Sequence, residues 1–249
     1  LPLFLIPTTC GTGSEVTPYC VINNSKTGRK FTLSHQSLQS VQAAVDPGLL
    51  KELPAHAQLA TALDAFTHCL EALLNTSGNR LIDPISEAGL QIAWKRIGHI
   101  LSEKTPEEIR NDLATLSLYG GISIAHNRTG LIHTLSVAFA EYCDLPHGLL
   151  NAHLTAYALR HNLAGYDGRL AAVISRMTGK DIATDAKALE VMSDWLRKNI
   201  GSDAFAPAPT AENQEKIVRR ILQDKGLPGV SHGIIDEASL NATVAEILT

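Results

Sequence analysis

The chain has 249 residues, 45% of them apolar and 18% charged, with a net charge of −4 at pH 7. That length suits one large domain or two small ones, and the composition is that of an ordinary folded soluble protein. The charge balance gives no basic surface for nucleic acid, no Lys/Arg run marks a membrane patch, and no apolar stretch approaches the ~18–20 residues of a spanning helix. Residues 1–6 are apolar but lack a basic start and a small-residue cleavage site, so they do not read as a signal peptide.

In chain order, residues 3–6 read as a buried strand. Residues 19–22 and 30–33 read as two strands joined by a turn-rich connection at 23–28. Residues 43–47 resemble a short strand ended by Pro47. From Pro54 onward the apolar spacing becomes three to four, which predicts helices over 57–75, 85–101, 106–124, 131–142, 149–162, 186–200 and 211–225. Thr105 reads as a cap, with Glu107 and Glu108 in the first turn behind it. Residues 79–84 and 204–210 read as loops. There is no internal repeat. Cys10, Cys20, Cys69 and Cys143 show no CxxC spacing and read as reduced thiols of a cytoplasmic protein. The predicted class is mainly α, divided into a β-rich part at 1–50 and an all-helical part at 51–249.

Four residues stand out as candidate metal ligands: Asp64, His68, His133 and His147. Asp64 and His68 are four apart on a predicted helix, so both side chains leave the same face one turn apart. An Asp-x-x-x-His pair also occurs as an ordinary surface pair. Here its flanks (Ala65, Phe66, Leu70, Ala72, Leu73 and Leu74) are mostly apolar, and ionisable groups in such a setting are usually paired or coordinated. One carboxylate with three imidazoles suits iron(II) or zinc(II).

The segment from Thr8 to Pro18, Thr-Thr-Cys-Gly-Thr-Gly-Ser-Glu-Val-Thr-Pro, closely resembles the signature of the iron-containing (group III) alcohol dehydrogenases. The stretch from Asp64 to Ala72 resembles that family's first metal helix. Gly130-Leu131-Ile132-His133 and Pro146-His147-Gly148 resemble its other metal segments, and the matches run in family order over roughly residues 1–165. The resemblance implies a helical metal-binding domain of the dehydroquinate synthase-like fold behind a β-rich remnant of a dinucleotide-binding domain. It implies NAD- or NADP-dependent interconversion of a small alcohol and its aldehyde at Fe(II) or Zn(II), in a homodimer. Thr8, Thr9, Thr12 and Thr17 would border the diphosphate and nicotinamide ribose, Val21 the nicotinamide, and Lys30 the ribose. Read by themselves, those hydroxyls and glycines suit close approach to a pyrophosphate, or simply a Gly-Thr turn before a hairpin.

Two departures bear on the substrate pocket. Val137 stands where many members have a further histidine, and Ile124 stands where the family has an aromatic residue. His126 and Arg128 add donors that suit an anionic group such as carboxylate, phosphate or phosphonate, and they equally suit a solvated helix end. A zinc-dependent synthase of the dehydroquinate type and a non-catalytic metal-binding helical fragment are the competing readings. Asp64 argues against maleylacetate reductases, which typically lack that aspartate. The family's Gly-Gly-Gly-Ser phosphate loop does not occur in these residues, so the chain reads as the C-terminal portion of a longer enzyme. Calorimetry on this chain alone is therefore expected to show no NADH binding at micromolar concentration, and a micromolar affinity would require a nucleotide site of another kind.

Overall fold

The computed structural model describes residues 2–23, 30–100, 105–200 and 209–249. The predicted connection at 24–28 and the predicted loop at 204–208 lie outside the described residues. Strand β1 (Phe4–Leu5) pairs in parallel with β4 (Gln42–Ala43), in the register Phe4 to Gln42. Strands β2 (Tyr19–Asn23) and β3 (Lys30–Ser34) form the predicted antiparallel pair, with Tyr19 opposite Ser34. Both sheets among the described residues have two strands, and Leu3, Phe4, Ile6 and Val41 around the first are exposed. The first strand is thus shorter than the expected 3–6 and open to solvent.

The rest is helical: α1 (Ala55–Leu74), α2 (Asp83–Arg96), α3 (Glu107–Asn127), α4 (Leu131–Phe139), α5 (His147–His161), α6 (Arg169–Thr178), α7 (Asp185–Ile200), α8 (Gln214–Ile221) and α9 (Glu237–Ile247). Helix α1 is the hub. Its sequence is Ala- and Leu-rich over most of its surface, with Asp64, His68 and Glu71 gathered on one face, and all residues from Ala62 to Asn75 are buried, as in a helix enclosed by others. Helices α2, α3 and α5 pack around it. Phe66 reaches outward from α1 to Trp195 of α7, with ring centroids 4.9 Å apart. Trp94 of α2 stacks on the same Trp195 ring at 5.6 Å, so one aromatic cluster ties three helices together.

Some boundaries differ from the sequence expectation. Pro106, not Thr105, precedes the first turn of α3, and the Thr105 hydroxyl instead donates to the Ile100 carbonyl at 3.5 Å. Helix α8 stops at Ile221, because Asp224 accepts from the Gly226 amide at 3.0 Å in a tight turn. Helices α6 and α9 are additions to the expected set, although both carry signals. Leu170, Val173, Ile174 and Met177 share the buried face of α6, and Asp236 caps α9 by accepting from the Ser239 amide at 2.8 Å. No helix among the described residues is long and apolar enough to cross a membrane.

Two glycine contacts set the approach of elements to α1 and α3. A Cβ at Gly148 would fall 1.9 Å from the Ala60 carbonyl oxygen, so only glycine lets the start of α5 lie directly on α1. Gly13 adopts φ +57°, and a Cβ there would meet the Gly121 Cα at 2.4 Å. This seats the turn Ser14–Val16 against α3. Gly148→Ala is expected to lower stability by about 1–3 kcal/mol through overpacking, read as a shift of the urea midpoint. An unchanged midpoint would mean that α1 and α5 separate without cost.

Candidate metal centre

Three helices deliver the four singled-out residues to one place. Asp64 and His68 face the same way from α1, His133 lies in the first turn of α4, and His147 is the first residue of α5. Asp64 Oδ1 lies 3.6 Å from His68 Nε2, 3.5 Å from His133 Nε2 and 3.7 Å from His147 Nε2. The His68 and His133 rings stack at 4.8 Å, and His147 meets His133 edge-on at 5.4 Å. Ligand atoms held tetrahedrally at about 2.1 Å from one ion lie roughly 3.4 Å apart. The ligand atoms of Asp64, His133 and His147 all lie within 4.8 Å of one another and suit a divalent ion, whereas His68 approaches Asp64 Oδ1 but stands outside that mutually close set. Asp64, His68 and His133 are buried, whereas the His147 side chain is 39% exposed, so the cluster opens on the His147 side.

Electrostatics follows from the burial. Desolvation works to raise the Asp64 carboxyl, but the three imidazoles outweigh it and hold it well below the usual carboxylate range. Desolvation lowers His68 to about 4 despite the nearby Asp64. Desolvation also works to lower His133, yet the Glu71 and Asp64 carboxylates outweigh it and hold that ring at about 9.

Three residues that sequence reasoning passed over touch this cluster. Glu71 Oε2 lies 2.6 Å from His133 Nδ1, Ser136 Oγ lies 3.1 Å from His147 Nδ1, and Asn151 Nδ2 donates to Asp64 Oδ1 at 2.8 Å. The same amide nitrogen is 3.1 Å from His133 Nε2 and 3.4 Å from His147 Nε2. Spacing was the available signal. Glu71, Ser136 and Asn151 follow His68, His133 and His147 by three or four positions, so each shares a helix face with a candidate ligand.

The remaining candidates are more dispersed. Thr8, Thr9 and Thr12 are exposed, and Val21 is 64% exposed. Thr17 is buried and donates its hydroxyl to the Ser14 carbonyl at 3.4 Å, so it shapes the turn rather than facing outward with the others. Lys30 pairs with Asn23 through the backbone, and its side chain lies outside the described residues. Ile124 is buried, His126 is exposed in the last turn of α3, and Val137 is half-buried one turn beyond His133. Arg128 adopts φ +60°, an uncommon conformation for a residue with a side chain. Asn75 Nδ2 fixes it by donating to the carbonyls of Asn127 at 2.7 Å and Arg128 at 3.0 Å. The Arg128 guanidinium lies over Gly226, where a Cβ would be 2.4 Å from Nη2. Burial raises the Tyr19 phenol and the charge of Arg128 opposes that rise, while the Tyr19 hydroxyl donates to the Ile124 carbonyl at 3.3 Å. The four cysteines are free.

A helical body that gathers one carboxylate and three imidazoles at a partly open point defines a protein with a candidate centre for a divalent ion. Residues 58–218 match the Fe-containing alcohol dehydrogenase family, C-terminal, and residues 1–47 match iron-containing alcohol dehydrogenase. The chain belongs to the iron-containing alcohol dehydrogenase family. It is 30% identical over 228 residues to 1,3-propanediol dehydrogenase of Citrobacter freundii, covering 91% of this chain and 53% of that protein. It is 29% identical over 163 residues to alcohol dehydrogenase 4 of Saccharomyces cerevisiae, covering 66% of this chain and 43% of that protein. The chain thus spans about half the length of these curated relatives. Its fold superposes on sulfoacetaldehyde reductase from Bifidobacterium kashiwanohense, solved in complex with NAD+, with a TM-score of 0.86 at 24% identity, covering 100% of this chain and 65% of that one.

The charge pattern sets a pH dependence. Without an ion, His133 carries a proton below about pH 9, and an incoming cation must displace it. Zn(II) affinity is therefore expected to rise about tenfold per pH unit between about pH 6 and 8, with release of roughly one proton. His68, held near 4, adds no competition in that range. Calorimetry in buffers of different ionisation enthalpy reads both quantities, and a pH-independent affinity would contradict the protonated His133.

Proposed function

We propose that the complete protein is an NAD- or NADP-dependent alcohol dehydrogenase or aldehyde reductase. Asp64, His68, His133 and His147 would hold its Fe(II) or Zn(II). The observation that carries this reading is the convergence of three Nε2 atoms within 3.5–3.7 Å of Asp64 Oδ1. When bound, a divalent ion there supplies Lewis acidity toward an alcohol or carbonyl oxygen. Asp64 contributes the charge that offsets the cation, the buried His68 and His133 exclude water from one side, and the exposed edge at His147 leaves an approach for a small substrate. The aliphatic Val137 cannot relay a proton, so proton release falls to solvent or to the cofactor ribose.

Residues 1–50 are taken as the end of a dinucleotide-binding domain and 51–249 as the metal-binding domain. Thr8, Thr9, Thr12 and Val21, all exposed, are the groups offered to a nucleotide. One matched relative is a 1,3-propanediol dehydrogenase and one structural neighbour was solved with NAD+, which supports a small alcohol or aldehyde and a nicotinamide cofactor. Arg128, a cation held at φ +60° whose charge is felt at Tyr19, supports a substrate with an anionic group. A cytoplasmic homodimer completes the reading.

The test uses the complete protein loaded with Fe(II) or Zn(II), supplied with NAD(P)H and short aldehydes with and without a terminal anion. Turnover is expected, with His133→Ala reducing kcat/KM by on the order of 10²-fold or more. Arg128→Ala is expected to raise KM for the anionic aldehyde and leave the neutral one unchanged. Turnover that survives His133→Ala and chelation would remove the metal from the reaction.

A further inference from the structure

Glu71 is a buried carboxylate to which the metal reading assigns no task. It is 4% exposed and sits on α1 three residues beyond His68, with both oxygens engaged on α4. Oε2 lies 2.6 Å from His133 Nδ1, and Oε1 accepts from the Ile132 amide at 2.5 Å. The two contacts constrain different degrees of freedom. Accepting from the Ile132 amide fixes where the first turn of α4 lies, at a helix start where orphan amides favour an anionic acceptor. Accepting from His133 Nδ1–H fixes the rotation of that ring and directs its Nε2 at Asp64 Oδ1, 3.5 Å away, so that Nε2 is the nitrogen offered to an ion once its proton is displaced.

The three imidazoles differ at the nitrogen that faces away from the centre. His147 Nδ1 has the neutral Ser136 hydroxyl at 3.1 Å, and His68 Nδ1 is buried without a hydrogen-bond partner among the described residues. At His133 the partner is a carboxylate. A carboxylate behind a ligating imidazole raises its basicity and orients it, and removing such a partner typically costs 10–100-fold in metal affinity.

We propose that Glu71 is a positioning residue for the metal centre: through its two oxygens it fixes both the first turn of α4 and the ring of His133, so that ion affinity depends on a side chain that does not ligate. The proposal rests on the metal reading and adds to it a residue outside the four ligands.

The test is titration of the protein with Co(II) at pH 7.5, followed by its visible d–d absorption, for the unsubstituted chain, Glu71→Gln and Glu71→Ala. Thermal melting without metal is measured alongside, and titrations are made at a temperature where every variant is folded. Glu71→Gln keeps one acceptor for two donors and is expected to bind about tenfold more weakly, whereas Glu71→Ala is expected to lose up to about 100-fold with an altered band shape. If Glu71 serves only the fold, Glu71→Ala lowers the melting temperature while Co(II) affinity and spectrum stay those of the unsubstituted chain, which overturns the proposal alone. Should Glu71→Ala not fold, the Glu71→Gln titration decides, and equal affinity there overturns the proposal. Failure of the unsubstituted chain to bind Co(II) would remove the metal reading and this proposal with it.

Discussion

The ionised carboxylate of Asp64, buried in the middle of α1, is the constraint around which the structure is arranged. A charge taken out of water is costly unless it is paired and hydrogen-bonded. Here three imidazoles and the Asn151 amide surround one oxygen, and they come from α1, α4 and α5. The compensation is therefore tertiary. It exists only when the three helices are docked, so the candidate centre and the helical packing stand or fall together. The shifted ionisations of Asp64, His68 and His133 are the electrostatic record of that docking.

The packing supports this through positions with no chemistry of their own. Gly148 directly follows His147, and its close approach to Ala60 places the start of α5 on the turn of α1 that precedes Asp64. Leu63, Phe66 and Leu70 fill the faces of α1 turned away from the cluster and are fully buried. Side chains in such an interior sit in fixed rotamers. The rigidity needed to hold ligand atoms close to a usable geometry thus comes from the apolar surroundings.

The N-terminal strands differ in character. β1 and β4 pair only with each other among the described residues, and Phe4 and Ile6 are 62% and 63% exposed. Exposed apolar side chains beside an open strand edge mark a surface suited to further pairing. The tie to the helices is made instead by Cys10, Gly13 and Glu15, which are buried, and by the turn Ser14–Val16 seated on α3.

Much of the fold was legible because helices announce themselves locally. The three-to-four spacing marked seven of the helical stretches, and the four-residue step from Asp64 to His68 alone put a carboxylate and an imidazole on one face. The short helices α6 and α9 had apolar faces and a cap, but a few turns of pattern compete poorly with the polar residues around them. For the candidate centre, the sequence supplied the four residue types and the resemblance that joined them. What it could not determine was their convergence, since His133 and His147 lie more than 60 residues beyond His68. Nor could it reveal that Glu71, Ser136 and Asn151 stand behind the cluster, or that Thr17 turns inward while Thr12 does not. Local spacing fixes which face a side chain leaves from, whereas what that face meets depends on helix docking, and docking is decided by packing among distant parts of the chain.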